Sequence, residues 1–168
     1  MKEQKVFIID KPEDRVIEVL LEREDVQLEV IVLVYANTPG EYKLNVRVEH
    51  RVGNNNARIW VRGVVGDGAT LDMSGMIKIN KDARGVDDFL EMRALMWGKS
   101  SVALAEPQLE IEANQVKASH AAAVGRMDEE QLFYLQSRGM KRKKAEKMIV
   151  DGFMGELTSK IEDKRLWK

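Results

Sequence analysis

The chain of 168 residues is the length of one domain, or of one domain with a small helical appendage, so two large catalytic domains are excluded. Its composition, 44% hydrophobic and 33% charged with 27 basic against 28 acidic side chains, suits a chain that buries a core and excludes a disordered or collagen-like one. With no cysteine and only His50 and His120 as histidines, the chain by itself has no disulfide, no thiolate nucleophile, no cysteine-held zinc or iron-sulfur centre, and no His-rich metal site.

The start, MKEQKVFIIDKPEDR, places acids and a proline where a signal peptide needs an unbroken apolar stretch. No apolar run approaches the ~20 residues that span a bilayer, so a cytoplasmic location without membrane contact is expected. From 16 to 120, apolar and polar residues alternate, as in Val30, Val32 and Val34, then Leu44, Val46 and Val48, then Ile59 and Val61, then Ile77 and Ile79. That period predicts strands. Turn-forming clusters at 37–40, 53–56, 66–68 and 80–85 separate them, with no helix-period segment between, which excludes a βαβ layout. Regular strand spacing leaves two architectures open, a sandwich and a β-solenoid. In a solenoid the open end strands need a cover, and a dimer is the expected one.

The composition then changes. Asp128 is placed to cap a helix over 129–138, with Gln131 completing a capping-box pattern and Gly139 ending the helix in a left-handed conformation. A second helix is expected over 143–161, with Ala145, Met148, Ile149, Phe153 and Leu157 as its buried stripe and Lys143, Lys144, Glu146 and Lys147 largely outside it. Gly152 and Gly155 inside it cost about 1 kcal/mol each relative to alanine unless something packs closely against them. The division expected is a β body over 1–126 and a helical segment over 127–168.

From 138 onward ten basic residues stand against five acidic ones, leaving 17 against 23 for the first 137, so the tail is basic and the body acidic. Phe133, Tyr134, Phe153 and Trp167 recur at helical rather than base-stacking intervals, so nucleic acid is not the expected partner. Gly98, Lys99 and Ser100 resemble the end of a phosphate-binding loop, but the position five before the Gly-Lys pair is Arg93 and no glycine-rich turn forms. Glu110 and Glu112 share a strand face, more simply as its solvated side than as an acid and base pair, and no catalytic residue is assigned. His120 lies among small residues, Ser119 and the run of alanines at 121–123, near the junction of body and helices.

The stretch PQLEIEANQVKASHAAAVGRMDEEQLFYLQSRGM, followed by AEKMIVDGFMGEL, resembles the C-terminal part of the SufB/SufD family of iron-sulfur cluster assembly proteins. Upstream, VEHRVGNNNARIWVRGVVGDGATLDMSGMIKINKDARGVDDFLEMRALMWG is similar to it more loosely. The resemblance implies a mainly β fold, a right-handed parallel β-helix, with a C-terminal helical hairpin. It further implies a non-enzymatic scaffold that dimerises through its β-helix, with itself or with a SufB-like paralogue. An ABC-type ATPase similar to SufC would be held by the helices, through Phe133, Tyr134, Arg138, Gly139, Lys143, Lys144, Lys147, Met148 and Phe153. In the family a cysteine on the SufB side and a histidine on the SufD side are implicated at the subunit interface, and His120 matches that histidine as a cluster or metal ligand. Ala118 stands where the motif has cysteine, Ala121 and Ala123 where it has glycine and threonine, and Ile111 where a SufB-type cysteine would be. The chain is therefore SufD-like, short for the family, and expected to hold an iron-sulfur cluster only with a cysteine-bearing partner. A structural or regulatory ATPase-binding module that has lost cluster chemistry is the alternative.

Overall fold

The computed structural model describes residues 1–163 and 165, so Trp167 lies outside the described residues. Nine strands precede two helices: β1 (Lys2–Ile9), β2 (Asp14–Leu21), β3 (Gln27–Ala36), β4 (Gly40–His50), β5 (Asn56–Val65), β6 (Ala69–Ile79), β7 (Asp87–Met96), β8 (Val102–Ile111), β9 (Lys117–Arg126), α1 (Glu129–Ser137) and α2 (Arg142–Thr158). Odd strands form one sheet in the order β1-β3-β5-β7-β9 and even strands a second, β2-β4-β6-β8. Every pairing is parallel, so the chain climbs from one sheet to the other and back in a β-solenoid of about four turns plus β9.

The coils repeat in shape without a strict repeat in residue number. Gln27 lies opposite Asn56, Asn56 opposite Asp87 and Asp87 opposite Lys117, so the coil length drifts and only the shape repeats. Within each strand alternate residues stack inward on the same row of the next coil. Val32, Val61 and Met92 make one such ladder, each with 0% exposure. Burying an aliphatic side chain contributes about 1.5–3 kcal/mol, so these ladders carry most of the body's stability. β1 has no such alternation, because its inward row begins with Glu3 and Lys5 before Phe7 and Ile9; the solenoid therefore starts well ahead of the alternating stretch that begins at 16.

Two polar devices sit inside this apolar stack. His50, fully buried at the end of β4, places Nε2 2.6 Å from Asp88 Oδ2, and the other carboxylate oxygen accepts the Ala57 N–H at 2.7 Å. Asn55 Oδ1 accepts the Val26 N–H at 2.8 Å while its amide donates to Val52 O, which ties consecutive coils at their corner.

Both helices form where the sequence places them, with α2 ending before 161. Asp128 accepts the Glu130 N–H at 2.8 Å. Gly139, at φ +86°, closes α1 with its own N–H on Gln136 O and the Met140 N–H on Leu135 O, a bond pair that requires the left-handed turn glycine tolerates. The buried stripe of α2 matches the expected one at Ala145 and Leu157 and departs from it elsewhere. Met148 is 55% exposed, Phe153 is half-buried, and Met154, Leu157 and Ile161 are the buried side chains over the outer face of the odd-strand sheet. The reason is that α2 serves two surfaces: Ala145 and Ile149 pack on α1, whereas the C-terminal half lies on Ile31, Leu33 and Val64.

Candidate functional site

The two ends of the solenoid are unlike. In the first coil Ile9, Ile17, Val19 and Leu21 are at most 4% exposed. In the last coil the inward rows are open. Ala103, Ala105 and Leu109 of β8 are only partly buried and Ile111 is 43% exposed, although it lies in register with the fully buried Ile79. In β9, His120, Ala122 and Val124 continue the rows of Leu90, Met92 and Ala94, and all three are exposed. Among the described residues β8 pairs only with β6 and β9 only with β7, so both outer edges carry backbone groups without a neighbouring strand there. Pro107 interrupts the donors of β8, while β9 is proline-free and mostly small.

His120 thus stands in the middle of an exposed row at an unfinished end. Ala118, on the same row, is half-buried, and Ser119 and Ala121 flank it on the other face. Among the described residues there is no group of three His, Cys, Asp or Glu side chains able to hold a metal ion. His120 is therefore not part of a ready-made metal site among these residues. The other histidine is committed to Asp88 in the core. Glu110 and Glu112 are held by one lysine, Lys78, at 2.6 and 3.8 Å, as a solvated ion-paired face.

The hairpin residues separate into two sets. Phe133 (75% exposed), Tyr134 and Met148 face outward, with Tyr134 and Met148 lining one groove together with Gln131, Leu135 and Ile149. Arg138 lies over the Tyr134 ring at 5.3 Å. Lys143, Lys144 and Lys147 are exposed, Lys147 next to Asp151 at 2.5 Å. Steps of four, three and four carry Met148, Gly152, Gly155 and Ser159 along one face of α2, and a Cβ at either glycine would meet nothing within 4 Å. Close packing inside this chain does not account for them. Phe153 belongs to the other set, turned toward the sheet, with Arg62 over its ring at 5.0 Å and Arg93 at 5.8 Å.

Sequence reading passed over Arg62. Its side chain is fully buried, donating to Phe153 O and Glu156 at 2.8 Å and to Glu91 at 3.0 Å. A charged residue on the outward row of a strand looks solvated in sequence; α2 is what covers it. The hydrogen bond from Arg62 holds the Glu156 carboxyl below its ordinary 4.5. The resulting clamp fixes how α2 lies on the body, and so where the outward face of the hairpin points.

A family model described as the SUF system FeS cluster assembly, SufBD core domain, matches residues 14–153. The chain is 39% identical over 119 residues to the iron-sulfur cluster assembly protein SufD of Escherichia coli, covering 71% of this chain and 28% of that protein. It is 36% identical over 99 residues to SufD of Bacillus subtilis, covering 59% of this chain and 23% of that one. A SufBD family protein of Mycobacterium leprae is 46% identical over 88 residues, 52% of this chain and 22% of the relative. The chain thus spans less than a third of the length of these relatives.

Proposed function

Because the chain belongs to the SufBD core family of iron-sulfur cluster assembly proteins, we propose that it is a non-enzymatic scaffold subunit. Its last coil stacks end-on against a second solenoid, and its hairpin holds an ABC-type ATPase. The observation that carries this reading is the contrast between the buried Ile9, Ile17, Val19 and Leu21 of the first coil and the last coil, whose inward row is partly buried in β8 and exposed from His120 onward in β9. An apolar row left in water is compensated when a second solenoid continues it, and the free edges of β8 and β9 then gain strand partners.

In such an assembly the cluster is cargo. The partner contributes thiolates, and His120, exposed on the shared surface, contributes one imidazole nitrogen. The partner is a second copy or a cysteine-bearing SufB-like chain; with no cysteine of its own, this chain frames a cluster only in the second case. The hairpin supplies the docking surface through Phe133, Tyr134 and Met148, with Lys144 and Arg138 at the rim.

Light scattering of the chain alone and mixed with a SufB-type chain tests the first element, and anaerobic reconstitution with iron and sulfide tests the second. A stable complex, with a chelator-resistant cluster only when the cysteine-bearing chain is present, is the expected result. A monomer at micromolar concentration in both samples would refute end-on stacking. The total absence of cysteine favours one alternative, a structural ATPase-binding module without cluster chemistry. It is the reading that remains if the complex forms and no cluster is retained.

A further inference from the structure

A second groove lies on the opposite side of α2 from Met148, between α2 and the loops that follow β3 and β7. Its walls are Asn37 and Trp97 from the loops and Lys143, Glu146, Lys147 and Val150 from α2, and its volume is about 440 Å³. Trp97 is 37% exposed and packs against Gly66, where a Cβ would come within 2.9 Å of the indole. The indole is therefore propped from behind with its free side toward the groove.

Basic groups outnumber acidic ones around the groove, and one of its two lysines, Lys147, lies 2.5 Å from Asp151. Glu146 is neutralised by Arg142 at 2.8 Å, which also binds Glu129. Lys143 has no ion-pair partner among the described residues. The first turn of α2 contains no acid, and the N-cap residue Lys141 provides no side-chain cap, so the positive end of the helix is left beside Lys141, Arg142, Lys143 and Lys144. Basic residues at a helix N-terminus oppose the macrodipole. The adjoining cleft beyond Trp97 is of mixed charge, with Lys99 and Arg126 beside Asp67 and Glu129. The loop amides there are already engaged: the Ser100 N–H donates to Asp67 at 3.2 Å and the Gly68 N–H to Ser100 Oγ at 2.9 Å, which leaves no cradle for a small phosphate.

We propose that this groove receives an acidic segment of the protein partner, with one apolar side chain of that segment seated against Trp97 and its carboxylates on the unpaired Lys143 and on Lys147, where they replace Asp151. The proposal rests on the reading that the helical segment docks a partner, and adds a second contact that joins the hairpin to the β body. An exposed tryptophan in an apolar groove rimmed by lysines is the type of residue that dominates binding energy, while the rim steers encounter.

The test measures binding of the cognate ABC-type ATPase to the full chain, at low and moderate salt, with thermal melts to confirm folding. Trp97→Ala removes the anchor, and Asn37→Trp, at an exposed loop position, fills the groove without removing any packing. Each is expected to weaken binding about tenfold or more. The double change Lys143→Glu with Lys147→Glu should weaken it and flatten its salt dependence. Met148→Asp, on the opposite face, separates the two readings. If it abolishes binding while Trp97→Ala and Asn37→Trp bind normally, the groove proposal is overturned and hairpin docking stands. If Met148→Asp also binds normally, both fall. A change in the mass of the chain alone, by light scattering, on Asn37→Trp would identify the occupant as a second copy and overturn the acidic partner segment.

Discussion

Replacing Gly152 and Gly155 of α2 by alanine should stabilise the isolated chain and weaken its docking at the same time. Neither glycine has a positive φ, and a Cβ at either position meets no heavy atom within 4 Å, so alanine fits without strain. Each replacement removes backbone freedom that glycine loses on folding, worth about 0.5–1 kcal/mol. The pair therefore adds about 1–2 kcal/mol, which for a domain of this size raises Tm by about 2–8 °C. On the face proposed to dock the ATPase the same methyls stand between Met148 and Ser159, where they would hold a close-packed partner away at a cost of about 1–3 kcal/mol. Thermal unfolding of the single and double variants measures the first effect, and titration with the ABC-type ATPase the second. A lower Tm would refute the assignment of this face as open in the isolated chain. A higher Tm with unchanged affinity would show that the glycines do not lie under the partner.

Asp88→Ala leaves both His50 and the Ala57 N–H without a partner in a dry interior, and should cost about 2–5 kcal/mol in urea unfolding; a loss under 1 kcal/mol would refute the pair as an interior tie. The Glu156 carboxyl is held below 4.5 when folded, so its contribution is fully present above that value and disappears as pH falls through the lower folded value. Melting curves of the parent and Glu156→Gln should thus differ at neutral pH and converge in acid, and a constant difference would count against the Arg62 contact. His120→Ala removes an exposed side chain and should leave Tm unchanged while reducing cluster retention in the complex with a SufB-type chain. A large drop in Tm would make His120 structural.

The helices were legible because their signals are local. Asp128 and Gly139 terminate α1 through bonds to residues two to five positions away, and both can be read without knowing the rest of the fold. The strands were legible where the inward row is apolar throughout, as at Val30, Val32 and Val34, and illegible in β1, where Glu3 and Lys5 occupy that row. Alternation alone left sandwich and solenoid open, because either architecture buries every second side chain; the parallel register of successive coils separates them.

What the sequence determined by itself was the kind of chain: strands then helices, no thiolate chemistry, a basic tail on an acidic body, and the motif around His120 that resembles the SufB/SufD family. What only the tertiary structure decided was exposure. Val30 and His120 both stand on inward rows, yet one is fully buried and the other in solvent, because another coil covers the first and no described residue covers the second. Met148 and Met154 are equivalent in composition and six residues apart, and the turn of α2 from α1 onto the sheet buries only Met154. Arg62 is buried, and Trp97 lines a groove, only because α2 returns across a sheet laid down much earlier in the chain. Such placements depend on contacts between distant parts of the chain, which no periodicity along it encodes.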